Sequence, residues 1–372
     1  MDNIYSIFGR TIRIISEDRE VSSILEKELS LYPRAIDEKI DLTIEQVSDL
    51  GKIEPLSTNP SLHKVVKHGF IAALRPLQCE FVFDNDKVVK VRFSIIPAGK
   101  VLTFLRKWMN IQFTSHKEGI GQWLHEHILA PLTILDGDLS TIHASAVRTK
   151  NGKTLVFGGT GGVGKTSLEM ILCKENNCSF VSDDICAIDA HGLVYPNLAY
   201  PKIYAYNISG NSEIRKNIFK RRRLTDRLQF RLHELRGKNH ARRRVSPQEF
   251  YGSVVNSPKP LTAFFILFRD QSETITFEKI NSNKAASLNS RVIAREFGTF
   301  FDHLMWNEYN LTGLNENLKF ESGVLIKSSH EVMIKGLSVP NNSWIVRIPH
   351  TIKHDDYKEQ MVTRLKELGF LI

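Results

Sequence analysis

Cysteine is scarce in this chain, and long apolar runs are missing. Four cysteines (Cys79, Cys173, Cys178 and Cys186) stand among 372 residues, and no two are spaced as C-x-x-C. That excludes a disulfide scaffold and the common zinc knuckles, and it predicts small buried thiols in a reducing compartment. The longest apolar run, Leu261 to Phe268, covers eight residues and is broken by Thr262. A helix spanning a bilayer needs about 20, so no membrane span is expected. Met1 to Arg13 carries no basic-then-apolar leader pattern, which predicts a cytoplasmic protein. Internal repeats and low-complexity tracts are lacking too, which excludes solenoids and coiled-coil rods. With 42% hydrophobic residues over this length, two globular domains are expected.

Charge is not scarce, but it is concentrated. Residues 209 to 250 hold 13 Arg and Lys against four Asp and Glu, which accounts for the whole net charge of +9. The rest of the chain is neutral. Leu224, Leu228, Phe230, Leu232 and Leu235 give this segment a partly helical pattern. Three readings stay open. Arg221, Arg222 and Arg223 could steer an anionic acceptor, the segment could bind nucleic acid, or it could be a solvated loop. Nucleic-acid binding is the weakest of these, because few aromatics interrupt the charge, Phe219 and Phe230 within the basic run.

The most specific motif is Gly159-Thr160-Gly161-Gly162-Val163-Gly164-Lys165-Thr166, a complete G-x-x-x-x-G-K-[ST] loop followed by Ser167. A β-prone run, Thr154 to Phe157, precedes it. A helical run, Thr166 to Lys174, follows, with Leu168, Ile171 and Leu172 on one face. Glycines allow the backbone to turn its N–H groups toward one point, and the helix N-terminus behind them completes an anion site. In that arrangement Lys165 reaches the outer phosphates of ATP, and the Thr166 hydroxyl holds Mg²⁺.

Two further features flank the loop. Ser179 to Ser182 reads as a strand ending in Asp183-Asp184, expected beside the loop strand in a parallel sheet. Adjacent strand residues point to opposite faces, so the two carboxylates divide their work: one serves Mg²⁺ and the other accepts a proton. Upstream, Thr141 to Val147 reads as one strand, joined to the loop strand by the turn Thr149-Lys150-Asn151-Gly152. His143 lies within it, either as a core histidine or as a partner for a phosphate or an aspartate.

A His-Ala-Ser-Ala-Val strand, a phosphate loop and an Asp-Asp strand end, in this order, resemble HPr kinase/phosphorylase and its kinase-like relatives, some of them found beside peptide-modification enzymes. The resemblance covers residues 140 to 190. It implies a P-loop kinase core of the phosphoenolpyruvate carboxykinase type, with His143 as the family histidine, Asp183 as the catalytic aspartate and Asp184 as the magnesium-linked acid. It also implies transfer of the γ-phosphate of ATP to a hydroxyl, most simply a serine on a protein or peptide. Ser167 stands where the founding members carry Glu, and the Glu-x-Arg-Gly-Leu-Gly stretch tied to phosphorylase activity has no counterpart. The implication is therefore kinase activity alone. A regulatory or nucleic-acid-linked NTPase and a small-molecule hydroxyl kinase are the alternatives. A homo-oligomer stays open. An ordinary aspartate, with a pKa near ~4, is a weak base at neutral pH, so positioning should matter more than basicity.

The pattern elsewhere predicts an α/β protein, with a small α+β domain over 1–138 and the kinase domain over 139–372, carrying a basic insertion at 209–250. Strands are expected at 10–16, 40–47, 70–74, 79–83 and 88–96, the last two joined by a hairpin at 84–87. Helices are expected at 18–31 and 119–135, with Pro131 a kink or stop in the second. A loop is expected over 51–62. Farther on, 261–269 and 274–280 read as a β-pair, 285–301 and 357–368 as helices, and 323–327 and 343–348 as strands.

Overall fold

The computed structural model describes residues 1–36, 39–59, 63–96, 117–220 and 222–372. The chain opens with β1 (Asp2–Ile7) and β2 (Arg10–Ser16), paired antiparallel. Phe8 and Gly9 both take positive φ (51° and 76°), the requirement of a two-residue hairpin turn. On β2, Ile12 and Ile14 face the core while Arg13 faces out. Helix α1 (Arg19–Leu29) is capped by Asp18, whose carboxylate accepts from the Glu20 and Val21 N–H groups. It buries Val21, Leu25 and Leu29 as it crosses to β3 (Leu42–Gln46), which pairs parallel to β2.

Five more strands complete the first sheet: β4 (Ser57–Asn59), β5 (His63–Val66), β6 (Gly69–Leu74), β7 (Leu77–Asp84) and β8 (Lys87–Ile95). Its order is β1-β2-β3-β8-β7-β6-β5-β4. The expected hairpin at 84–87 is present, with Asn85 at φ 56°. β1, β4 and β5 fall outside the expected strands; β4 begins within the stretch read as a loop.

A helical run links this sheet to a second one: α2 (Ile120–Leu124), a π-helical turn (His125–Leu129) and α3 (Ala130–Leu135). Pro131 does not stop it. The π-helical turn comes just before, and Pro131 lies in the first turn of α3, where a missing N–H costs little.

The second sheet has nine strands and corrects several expectations. The run read as one strand at 141–147 is two, β9 (Leu139–Ile142) and β10 (Ala144–Arg148), broken at His143. β10 forms the expected hairpin with β11 (Thr154–Gly158), the loop strand. Helix α4 (Lys165–Glu175) leads to β12 (Ser179–Ser182), but β12 is not beside β11. Antiparallel β10 lies between them, and the parallel neighbour of β11 is β17 (Lys259–Asp270). β13 (Cys186–Asp189) and β14 (Leu193–Tyr195) complete the path β12-β10-β11-β17-β14-β13-β9.

β15 (Lys202–Tyr204) and β16 (Arg242–Arg244) form a separate pair around the basic segment, whose helices are α5 (Ser212–Phe219) and α6 (Leu224–Arg236). A short α7 (Pro247–Tyr251) follows. β18 (Thr276–Ile280) does not pair with β17 as expected, because β19 (Ser343–Pro349) lies between them. The run at 285–301 is split at Phe297 into α8 (Ser282–Glu296) and α9 (Gly298–Gly313). The segment read as a strand at 323–327 is the first part of α10 (Ser322–Ser338). Its apolar residues had too short a run to separate the two periods. Helix α11 (His354–Glu367) packs its buried Tyr357 beside α4. The fold is mixed α/β, and among the described residues no helix is long and apolar enough to cross a membrane. All four cysteines are buried and free, as expected.

Candidate phosphate-loop site

The loop between β11 and α4 takes the shape its glycines permit. Gly159 and Gly164 have φ of 137° and 112°, and a Cβ on either would meet atoms at 2.6 Å (Leu267 O) and 2.8 Å (the Tyr357 ring). Thr160, Gly161 and Gly162 are exposed, with nothing within 4 Å of a Cβ built on Gly161 or Gly162. The result is an open cradle of backbone at a helix N-terminus. Val163 is buried beneath it. The Lys165 ammonium is also buried and donates to the carbonyls of Gly159 and Thr160, both at 2.9 Å. Burial lowers its pKa, against the pull of Asp184 and Asp183. The Ser167 hydroxyl turns away from the cradle and accepts from Asn207 Nδ2 at 2.8 Å.

The two flanking motifs meet because the sheet has a seam. The chain leaves one half of the sheet for the other at His143, between β9 and β10. It does so again at Asp183-Asp184, between β12 and β13. The two crossings lie side by side. Asp184 sits in the left-handed region at φ 73°, which Asp tolerates better than most residues. This turn aims its carboxylate at His143, whose Nε2 lies 3.0 Å from Oδ1. Lys202 Nζ, from β15, donates to Oδ2 at 3.0 Å and also to Glu126. Burial pushes Asp184 up, but Lys202 and His143 outweigh it and hold the carboxyl well below its ordinary range.

Asp183 faces the loop instead. Its Oδ1 accepts from Ser145 Oγ at 2.8 Å and from Thr166 Oγ1 at 3.0 Å. Burial, with the charge of Asp184 behind it, raises its pKa above that of an ordinary aspartate. Below it lies Glu169, fully buried on α4, with neither oxygen hydrogen-bonded. Burial and then Asp183 push the Glu169 carboxyl well above the usual carboxylate range. The structure therefore brings Lys165, Thr166, Asp183, Asp184 and His143 into one place. Sequence reading missed Ser145, Glu169, Lys202 and Glu126. Ser145 stood two residues from His143. Lys202 had no local signal.

A cavity of about 370 Å³ opens from this seam toward the first sheet, lined by Arg75, His127, His143, Asp184, Lys202 and Glu296, with Phe297 and Phe300 as apolar wall. It lies within the size range of ligand sites. A larger groove, about 830 Å³, runs between α1 and the basic segment and takes in none of the loop, His143 or the aspartates.

The proposed steering residues separate. Arg221 lies outside the described residues. Arg222 binds Asp226 at 2.9 Å and the Arg244 carbonyl at 2.7 Å. Arg223 is exposed on the rim of the larger groove. Neither described residue faces the cavity beside Asp184.

The site fits a nucleotide with magnesium. The cradle offers N–H groups and a lysine, and Thr166 lies against Asp183. Among the described residues no cluster of three His, Cys, Asp or Glu could cage a metal alone. Magnesium bound with phosphates needs only one or two protein carboxylates. No model of a known family matches the chain, and no curated protein matches it.

Proposed function

We propose that this chain is an ATP- and Mg²⁺-dependent kinase with a P-loop core of the HPr kinase/phosphoenolpyruvate carboxykinase type, phosphorylating a hydroxyl, most simply a serine of a protein or peptide. One observation carries the reading. The Thr166 hydroxyl, Asp183, and the Asp184–His143–Lys202 cluster converge between an open phosphate cradle and a cavity large enough for an acceptor side chain. Two acids, a histidine and a second lysine gathered beside a glycine-rich turn favour a working site over a plain turn.

In this reading the loop N–H groups orient the phosphates, and Lys165 leaves its two carbonyls to contact them. Thr166 would hold the magnesium directly and Asp184 through the metal's water shell, and the ion would neutralise phosphate charge. Asp183, the acid of raised pKa, accepts the proton of the acceptor hydroxyl. His143 and Lys202 keep Asp184 anionic and pointed. The apolar wall of Phe297 and Phe300 helps exclude water from the acceptor side.

The test uses γ-labelled ATP with serine-containing protein and peptide acceptors, read by mass spectrometry. Asp183→Asn should keep ATP bound and lose transfer by about 10²- to 10⁴-fold. Asp184→Asn should raise the Mg²⁺ concentration required. Wild-type transfer in Asp183→Asn would mean the two roles are misassigned. In calorimetry, Lys165→Ala should bind ATP·Mg²⁺ at least tenfold more weakly, and equal binding sinks the nucleotide site itself. ATP hydrolysis with no transfer to any acceptor would favour the regulatory NTPase.

A further inference from the structure

Helix α6 is inside out. Leu224, Leu228, Leu232 and Leu235 are 79%, 54%, 46% and 85% exposed, while Asp226, Gln229, Phe230 and His233 are buried. At 3.6 residues per turn the four leucines fall within an arc of about 80°, opposite the buried set. The polar face is inward because Arg243 is fully buried and binds Asp226 at 2.6 Å and Gln229 at 3.1 Å. The leucines are left as a ridge three turns long, with nothing on the described chain covering it.

Beside the ridge runs a rail of charge. Arg227 and Arg231 flank the leucines and also line a hollow of about 240 Å³ between α5 and α6, together with Arg215 and Lys216 over Phe219 and Phe230. No acid lines that hollow; Glu234 offsets Arg215 from outside it. An apolar ridge sharing its edge with a cationic hollow is the complement of a helix with leucines on one side and carboxylates on the other. A second copy of the chain would bring arginine rails together, which like charges oppose. A single-stranded nucleic acid would want aromatic faces to stack on, and Phe219 and Phe230 are buried, while a duplex held through its phosphates has no use for an exposed leucine ridge. A bilayer would use the ridge but has no need of a discrete hollow.

We propose that α6 and the α5–α6 hollow dock an acidic amphipathic helical segment of a partner protein, the leucines taking its apolar face and the hollow one of its carboxylates. This stands independently of the phosphoryl-transfer reading, since none of the loop residues takes part.

The experiment titrates the full chain against a synthetic ~18-residue leucine/glutamate amphipathic helix, about five turns long, and against a scrambled peptide of the same composition, by fluorescence anisotropy. The amphipathic peptide should bind at least tenfold tighter than the scramble. Leu228→Ser with Leu232→Ser should remove that advantage. Arg227→Ala with Arg231→Ala should weaken binding and flatten its salt dependence. Leu228, Leu232 and Arg231 are exposed and Arg227 gives up one hydrogen bond to the Phe219 carbonyl, so melting curves should stay close to those of the wild type. Equal binding of the two peptides, no binding, or an unchanged ridge variant overturns the proposal. Tighter binding to phosphatidylglycerol vesicles than to the peptide overturns it in favour of a membrane surface.

Discussion

The glycine-rich loop with its flanking acids and the basic segment both gather charge, and they use it in opposite ways. Around the loop, ionisable groups from separate places in the chain converge on a shared opening, with Asp184 bound by His143 and Lys202 and the adjacent Asp183 bound by Ser145 and Thr166. In the basic segment several arginines that would pass for free surface charge are structural. Arg243 is fully buried, and Arg244 is buried against Glu28. Arg222 closes on Asp226 and a carbonyl. The leucines of α6, by contrast, are outside. Charge density alone therefore says nothing about availability. What decides is whether a counter-charge lies within reach in the fold.

The sharpest way to break this comparison is Glu28→Ala. Removing one partner of a buried pair leaves Arg244 uncompensated, at a cost of about 3–5 kcal/mol. Urea denaturation should show that loss, and Glu28→Ala combined with Arg244→Met should recover much of it. A loss below about 1 kcal/mol would mean that Arg244 reaches water after all. Next in size, Arg222→Ala should cost about 1–3 kcal/mol through its lost partners, whereas Arg223→Ala should stay within about 0.5 kcal/mol. Equal effects would put the two arginines back in one class.

Acid offers a control that touches neither region. His63 on β5 and His303 on α9 face each other with Nδ1 atoms 3.2 Å apart. Burial, then the neighbouring His303, pushes His63 down to about 3, and burial lowers His303 too. The folded pair thus binds fewer protons than the unfolded chain, whose histidines titrate near ~6.5. Stability should be level above that pH and fall below it, at up to about 1.4 kcal/mol per pH unit for each proton. His63→Phe should reduce the slope between pH 6 and 4 by about one proton. An unchanged slope would assign the acid sensitivity elsewhere.

The same contrast explains what the sequence made legible. The loop, the ends of α4 and the limits of β12 followed from local chemistry: glycines fix the backbone, and the apolar period fixes the helix. The contact of His143 with Asp184 was one of two readings left open for that histidine, and the reason for it was not legible. One strand was expected where the chain crosses a seam, because small residues on both sides of His143 continue the β pattern through the break. Lys202 was illegible, since its partners Glu126 and Asp184 come from separate elements. Arg244 was illegible for the same reason, with Glu28 lying 216 positions away. The leucines of α6 gave the helical period but not the face that is buried. Periodicity says that one side differs from the other, and the buried Asp226–Arg243 pair decides which side goes in.

The smallest expected effect tests that last point. Leu232→Ser on α6 should change unfolding free energy by no more than about 0.5 kcal/mol, measured by the same urea titration. Leu232 is about half exposed in the fold and more so in the unfolded chain, so little apolar surface changes hands and helix propensity supplies most of the loss. Leu168→Ala on α4 is the internal comparison. Its side chain is fully buried, and a cavity there should cost about 2–5 kcal/mol. If Leu232→Ser cost as much as Leu168→Ala, the ridge would be packed within the protein itself, and both the inside-out reading of α6 and the contrast between the two charged regions would fail together.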